Sequence, residues 1–392
     1  MRDKSICFIT NAYPDFNSSG RGMFIKQMAL LLEASGYRIS VVTPKIYGKS
    51  HYVEEQEGIR VYRFPFFSGN RLLIEYEKIP YLRMVFYYMT GFLLAIYVVF
   101  RHRCHLIHAH WAIPTGLIGV LVGSFLKTPL IVTIHGSDFR IGAMKTPILK
   151  KIFVYVCEKA KHIICVSEVL KRDIEKLGIK GEKISVFPMG VDESFFRSST
   201  NRGVNRMGQS FTILSNRQLQ PIYNISLLVR AIPMVLKEEP NAKFIIAGIG
   251  SERENLERQV KDLNIRSRVQ FLGWVNHEEM PKFLSRADIY ISTSLDDGTS
   301  VSLLEAMASG AFPIVTDIPS NREWISDGEN GFLVSLDEER FLAGKIVEAI
   351  RNRDLRERSR DKNFCLIKGK ALWPVTIAKT REIYKIALDQ KS

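Results

Sequence analysis

The sequence predicts an α/β protein of two Rossmann-like domains, each a doubly wound parallel sheet. Three observations carry that prediction. The chain of 392 residues is longer than one hydrophobic core usually supports. Short apolar or β-branched runs alternate with segments of helical spacing in both halves, as in a parallel sheet covered by helices on both faces. A polar stretch, Ser198 to Gln209, then interrupts the alternation and separates the two series.

The elements follow in order. Ser5 to Thr10 is an apolar run ending at polar Asn11; Phe24 to Ala34 has helical spacing and stops at Gly36; Arg38 to Thr43 is a β-branched strand closed by Pro44. The alternation continues through a strand at Leu106 to Ala109, a helix around Gly116 to Leu126, and strands at Leu130 to Ile134 and His162 to Val166. The second series places strands at Phe211 to Leu214, Lys243 to Ala247, Val269 to Leu272, Ile289 to Ser292 and Phe312 to Val315. After Glu348 the chain is rich in arginine, read as a solvated helix face, and it ends in helical spacing from Ile377 to Leu388. The expected domains are therefore 1–198 and 210–372, joined by a linker at 199–209, with a C-terminal helix at 373–392 returning to the first domain. In such folds ligands sit beyond the carboxyl ends of the strands, so the residues just after each strand are the ones to inspect.

Composition narrows the class. With 46% hydrophobic and 24% charged residues the chain reads as soluble and globular, which excludes collagen-like, coiled-coil and wholly disordered proteins. Five cysteines (Cys7, Cys104, Cys157, Cys165, Cys365) are scattered without metal-ligand spacing, which predicts a reducing compartment and no structural zinc. Met1 to Lys4 is followed by too few apolar residues for a signal peptide, so a cytoplasmic location is expected. The net charge of +14 is uneven: residues 1–200 hold 27 Lys and Arg against 16 Asp and Glu. A basic half-molecule fits nucleic acid, an anionic membrane surface or a phosphate-bearing substrate. Within it, Met84 to Phe100 runs seventeen residues without a charge. That is just short of an unaided span, and its tyrosines favour an interface. A helix buried against a sheet is the leading expectation, with partial insertion into one leaflet and a true span behind it.

The most informative segment is Asp297 to Gly310. A strand ends near Ser292, a loop of small residues follows, and a helix starts near Ser300 to Ser302, so backbone N–H groups point outward from a helix N-terminus and suit an anion. Asp297 in the loop and Glu305 on the helix add two carboxylates, which accept hydrogen bonds from hydroxyls as sugar and ribose recognition requires.

This loop resembles the Glu-x7-Glu signature of glycosyltransferase family 4, retaining enzymes of the GT-B fold. Gly20 with Gly22, His135-Gly136-Ser137-Asp138, Val166-Ser167, Pro188 through Asp192 and Gly248-Ile249-Gly250 stand in that family's order, and the resemblance covers nearly the whole chain. It implies two domains facing a central cleft, the first on the acceptor side and the second binding the donor, in a polysaccharide-type enzyme of bacteria or archaea. By resemblance Glu305 would hold the ribose hydroxyls, and Asp297 would replace the first glutamate, on the donor sugar. The N–H groups of Thr299, Ser300 and Val301 would line the diphosphate and sugar, and Arg217 would meet the diphosphate. The lysine that usually follows is missing, and Tyr223 stands nearest its place; Arg21 is another basic residue that would serve. Gly20 and Gly22 would lie beside the donor diphosphate, and His135 would approach the donor sugar.

The implied reaction moves a sugar from a nucleotide-diphosphate sugar, a co-substrate, to a glycan or lipid-linked acceptor of surface polysaccharide synthesis, with His135, Asp297 and Arg217 as catalytic residues and with no cofactor or metal. His108 and His110, with His105 just before them, alternate on one strand without a suitably spaced acidic partner, so a metal site is not expected. The basic, tyrosine-rich first domain would dock on the anionic inner face of the cell membrane. Two alternatives remain: a nucleotide-sugar epimerase of the same fold, and a basic nucleic-acid-binding protein, against which no aromatic-basic recognition motif is present.

Overall fold

The computed structural model describes residues 4–15, 21–71, 73, 76, 80–199 and 210–389. It divides into two units, Met1–Pro188 with Pro374–Ser392, and Met189–Trp373.

The first unit runs β1 (Lys4–Thr10), α1 (Met23–Ala34), β2 (Tyr37–Lys45), β3 (Val53–Gln56), β4 (Ile59–Pro65), α2 (Tyr81–Arg101), β5 (Leu106–His110), α3 (Leu117–Leu126), β6 (Leu130–Ile134), α4 (Pro147–Lys159), β7 (His162–Cys165), α5 (Glu168–Glu175) and β8 (Ile184–Val186). Among the described residues its sheet has eight strands in the order β3-β4-β2-β1-β5-β6-β7-β8. All pair in parallel except β3 with β4. Strands β5 and β6 are buried at every position, which is why they read as unbroken apolar runs rather than alternations. Strand order reverses at β1, whose neighbours are β2 and β5, and this reversal opens a binding crevice at their carboxyl ends.

Two helix starts show how local chemistry sets the loops there. Gly22 precedes α1 with φ of 69°, and a Cβ at that position would lie 2.3 Å from the Ala12 carbonyl oxygen, so only glycine lets the loop close on the end of β1. Helix α4 starts on Thr146, whose hydroxyl accepts from the Leu149 amide, with Pro147 in the first turn.

Helix α2 packs against the sheet as the leading sequence expectation had it, but along one face only. Its inner face, Tyr87, Gly91, Ala95, Val98 and Val99, is buried, and a Cβ on Gly91 would meet Ile118 Cδ1 at 2.7 Å. Its outer face is exposed and just as apolar: Leu82, Val85, Met89, Leu93, Tyr97 and Phe100. The helix is long and apolar enough to cross a membrane by length and composition, with a mean hydropathy of 1.7. One side of it is packed into the core nonetheless.

The second unit runs α6 (Ser194–Ser199), β9 (Thr212–Ser215), α7 (Ile225–Glu238), β10 (Lys243–Ala247), α8 (Arg253–Asp262), β11 (Val269–Gly273), α9 (Met280–Arg286), β12 (Ile289–Ser292), α10 (Val301–Ala308), β13 (Phe312–Thr316), β14 (Phe332–Val334), α11 (Glu339–Arg351) and α12 (Arg353–Lys370). Its parallel sheet has the order β11-β10-β9-β12-β13-β14 and reverses at β9. Residues 189–198, expected in the first domain, go with this unit. The Val191 amide donates to the Ala371 carbonyl, and Phe195 is fully buried beside Leu303 and Met307. Of the expected linker, residues 200–209 lie outside the described residues. The last helix, α13 (Trp373–Asp389), packs on the first unit, where the Tyr384 hydroxyl lies 2.6 Å from His108 Nδ1 on β5.

Candidate functional site

In the second unit the reversal point lies between β9 and β12, and the segments that follow these strands build the site. Arg217, two residues past β9, is 8% exposed. Its Nη1 donates to Ser300 Oγ at 2.6 Å and its Nη2 to Asp297 Oδ2 at 2.5 Å. Its guanidinium also lies over the Tyr223 ring, 4.4 Å from the centroid. Burial pulls the guanidinium pKa down, but the Asp297 carboxylate and the Tyr223 and Tyr290 phenols more than offset it, so the charge is firmly held. The neighbouring turn presses on the same backbone. A Cβ on Gly248 would lie 2.2 Å from the Arg217 carbonyl oxygen, and one on Gly250 would lie 2.1 Å from that of Leu219.

Ser300 caps α10, its Oγ accepting from the Leu303 amide as well as from Arg217. The amides at the very start of α10 precede the i→i−4 ladder, so the helix begins as an anion-binding end beside a buried guanidinium. Thr299 and Val301 flank this cap, half-buried. Tyr223 occupies a single turn, Pro221–Tyr223, and the Thr293 hydroxyl bonds the carbonyls of Tyr223 and Asn224. Where a lysine would bring a second charge, this chain places an aromatic platform under the arginine.

Glu305, one turn past the cap, is 5% exposed, and its Oε1 lies 2.7 Å from Nε2 of His277. Burial lowers the His277 pKa, yet the bond and charge of Glu305 outweigh it, with Asp192 and Glu278 adding to the rise. Sequence reasoning missed His277. The available signal was its place in the loop after β11, at a strand's carboxyl end.

In the first unit, Gly22 sits at the α1 turn, and Gly20 lies outside the described residues. Arg21 donates to Asp15 at 2.6 Å and to the Asn11 carbonyl at 2.9 Å, so it ties the loop together. His135, just after β6, has Nε2 at 3.2 Å from His110 Nδ1, and its ring packs beside Trp111 and Phe24. Burial lowers the pKa of His135 to about 3, and burial followed by the His135 charge lowers that of His108 to about 3. These rings are therefore neutral at pH 7, and His135 bonds His110 as an uncharged imidazole. Asp138 joins the loops after β5 and β6, accepting from the amides of Ala112 (2.7 Å) and Gly136 (3.1 Å). Trp111 takes the unusual φ of 72°, held by the Thr133 carbonyl on its amide and by its indole N–H on Ser137. Among the described residues no group of three or more His, Cys, Asp and Glu is arranged to hold a metal.

The structure thus brings Arg217, Asp297, Ser300 and Tyr223 into one cluster and gives Glu305 a different partner, His277. His135 belongs to a separate histidine and tryptophan cluster in the first unit.

Comparison with known proteins is consistent along the chain. Residues 18–195 match the family model described as Glycosyltransferase Family 4, and residues 198–363 match that described as Glycosyl transferases group 1. The chain is 27% identical over 348 residues to the alpha-monoglucosyldiacylglycerol synthase of Streptococcus pneumoniae, covering 85% of this chain and 75% of that one. It is 26% identical over 260 residues to the UDP-Gal:alpha-D-GlcNAc-diphosphoundecaprenol alpha-1,3-galactosyltransferase of Escherichia coli, covering 63% of this chain and 66% of that one. Among solved structures, sucrose-phosphate synthase from Thermosynechococcus elongatus superposes with a TM-score of 0.80 at 16% identity, covering 99% of this chain and 100% of that one. Anabaena HepE in complex with UDP does so at 0.76 and 17%, covering 97% and 99%.

Proposed function

We propose, from the premise that this chain belongs to the family 4 glycosyltransferases and has their GT-B fold, that it transfers a sugar with retention from a nucleotide-diphosphate sugar to a lipid-linked acceptor. One observation carries this reading: Arg217 is held against Asp297, Ser300 and Tyr223 at the start of α10. A buried guanidinium beside a helix N-terminus is preorganised for a diphosphate, and such fixed charge stabilises a leaving group as its own charge develops. Glu305, oriented by His277, would hold the ribose hydroxyls, and Thr299 and Val301 flank the place for the diphosphate and sugar.

Retaining hydrolases use one carboxylate as a nucleophile. Here Asp297 is engaged by Arg217 and Glu305 by His277, which favours attack from the face of the departing group. The bond from the anomeric carbon to the diphosphate oxygen breaks as the acceptor oxygen bonds to the same face, and the acceptor proton passes to the leaving diphosphate. No metal is assigned to that step, so activity in excess chelator should match the untreated enzyme; loss of turnover restored by a divalent cation would overturn this part of the reading.

The acceptor class draws support from two relatives, whose names specify a monoglucosyldiacylglycerol synthase and a galactosyltransferase acting on a diphosphoundecaprenol-linked sugar. It also draws on the exposed apolar face of α2. Work at the cytoplasmic, anionic face of a membrane, in surface polysaccharide synthesis, belongs to the same reading.

The test screens nucleoside diphosphates for thermal stabilisation, since a ligand bound at 100 times its Kd adds about 2.7 kcal/mol. At least one should raise Tm in the wild type. Arg217→Ala should then lower kcat at saturating donor by roughly a hundredfold, the effect of removing one preorganised oxyanion donor. An unchanged kcat would remove Arg217 from the mechanism.

A further inference from the structure

The first unit contains a pocket of about 210 Å³, open to solvent. One wall is the start of α2, where Pro80, Met84 and Tyr88 face inward, and the opposite wall is Ile113, Pro114 and Leu149. Its polar groups are few. Asp138 lines it but accepts from two backbone amides, and Ser137 accepts from the Trp111 indole, which leaves Lys145 as the lining cation, exposed at the mouth. Trp111 connects the pocket to the strand ends: it lines the cavity, and its ring centroid lies 4.6 Å from that of His135.

The residues next in sequence to several lining residues are apolar and exposed. Leu82 and Val85 on α2, and Met144 and Ile148 flanking Lys145, are 74%, 61%, 44% and 70% exposed. Exposed apolar side chains beside the lining residues in sequence favour a partner on this side. Over residues 81–165 the chain carries ten Lys and Arg against two acidic residues, one of them the buried Asp138. An apolar slot with an ammonium at its lip, set in a basic surface, complements a hydrocarbon chain that ends in an anionic head.

We propose that this pocket binds the head-proximal hydrocarbon of the lipid acceptor, with Lys145 on the adjoining phosphate. The assignment rests on the transferase reading and names the part of the acceptor that the first unit recognises: the chain enters past Leu82 and Ile148 and leaves the head near Trp111. A purely aqueous glycan would gain nothing from these walls.

Dodecyl phosphate below its micelle concentration is the probe, followed by calorimetry on the full-length protein, with inorganic phosphate as the headgroup control. The wild type should bind dodecyl phosphate saturably at one site and inorganic phosphate far more weakly. Leu149→Trp, which fills the cavity, should weaken dodecyl phosphate binding about tenfold or more. Lys145→Glu, an exposed change that leaves packing untouched, should weaken it too and so guards against a misfolded first variant. Equal affinity across the three proteins, or inorganic phosphate binding as tightly as the alkyl phosphate, would overturn the assignment. The nucleoside diphosphate screen is run on the same proteins and separates the two readings. If nucleotide binds normally and the alkyl phosphate does not, the pocket assignment alone fails; if no nucleotide binds the wild type, the transferase reading fails, and the alkyl phosphate titrations still decide the pocket.

Discussion

Glu305 and His277 illustrate how one residue sets the working state of another. A carboxylate buried to 5% exposure needs a partner, and the imidazole Nε2 at 2.7 Å from Oε1 supplies it. Because the His277 pKa is raised in the folded protein, the pair contributes its full stability below the unfolded histidine pKa of about 6.5, and that contribution is lost as pH rises through the folded value. His277→Gln keeps a donor but removes the charge. Chemical denaturation at a series of pH values should therefore show the variant less stable than the wild type near pH 5, with the gap closing above neutrality. Half-exposure of the imidazole keeps that gap within about 1 kcal/mol. A gap that widens with pH would mean that His277 is neutral in the fold. The proposed ribose contact of Glu305 adds a second readout: if the histidine positions Glu305, His277→Ala should raise KM for the donor while kcat at saturation changes little.

At the scale of elements, α2 shows what periodicity leaves out: the expected packing against the sheet is made by one face, and the other is exposed. A hydrophobic stripe normally marks the buried face of a helix. In α2 the stripe of Leu82, Val85, Met89, Leu93, Tyr97 and Phe100 is as apolar as the packed stripe opposite, so the sequence predicts packing against a sheet without showing which face is left exposed. An interfacial helix that rests one face on its own domain and the other on lipid has this double character, and the exposed tyrosines suit the headgroup level. Leu82→Glu with Leu93→Glu should reduce sedimentation with vesicles containing anionic lipid. Each apolar side chain withdrawn from the interface forfeits on the order of 1 kcal/mol, and the inner face, where the core packing lies, is untouched. Neutral vesicles should retain less wild-type protein than anionic ones, because each Lys or Arg near the surface adds roughly 1 kcal/mol. Equal retention on both would leave the apolar stripe as the whole attraction and remove the electrostatic part; retention of the double variant at the wild-type level would exclude α2 as the contact.

Across the whole molecule, the parts legible in the sequence are those whose cause is local. Buried parallel strands read as apolar runs, so the succession of β1, β5, β6, β9, β10, β12 and β13 was visible; inspecting strand ends led to Asp297, Ser300 and Glu305, and the family resemblance to Arg217. What escaped is set by partners far away in the chain. His277 meets Glu305 across 28 residues and Tyr384 meets His108 across 276, and no spacing rule links them. The edge strand β3 is polar and half exposed, which gave it no apolar signal. Residues 189–198 carry no composition shift, and their place follows from Val191 pairing with the end of α12, a long-range bond. The charge distribution completes the argument. Of the chain's excess of 14 positive charges, the segment 81–165 holds ten cations against two anions, whereas Arg217 is buried and matched by Asp297. An exposed, unbalanced field acts over about a Debye length and draws the protein to an extended anionic surface. A buried, compensated charge acts only at contact, on a ligand able to displace or share its carboxylate. The two kinds of charge therefore fit two different tasks, capture of a surface and grip on a diphosphate, and substitutions in one should leave the other intact.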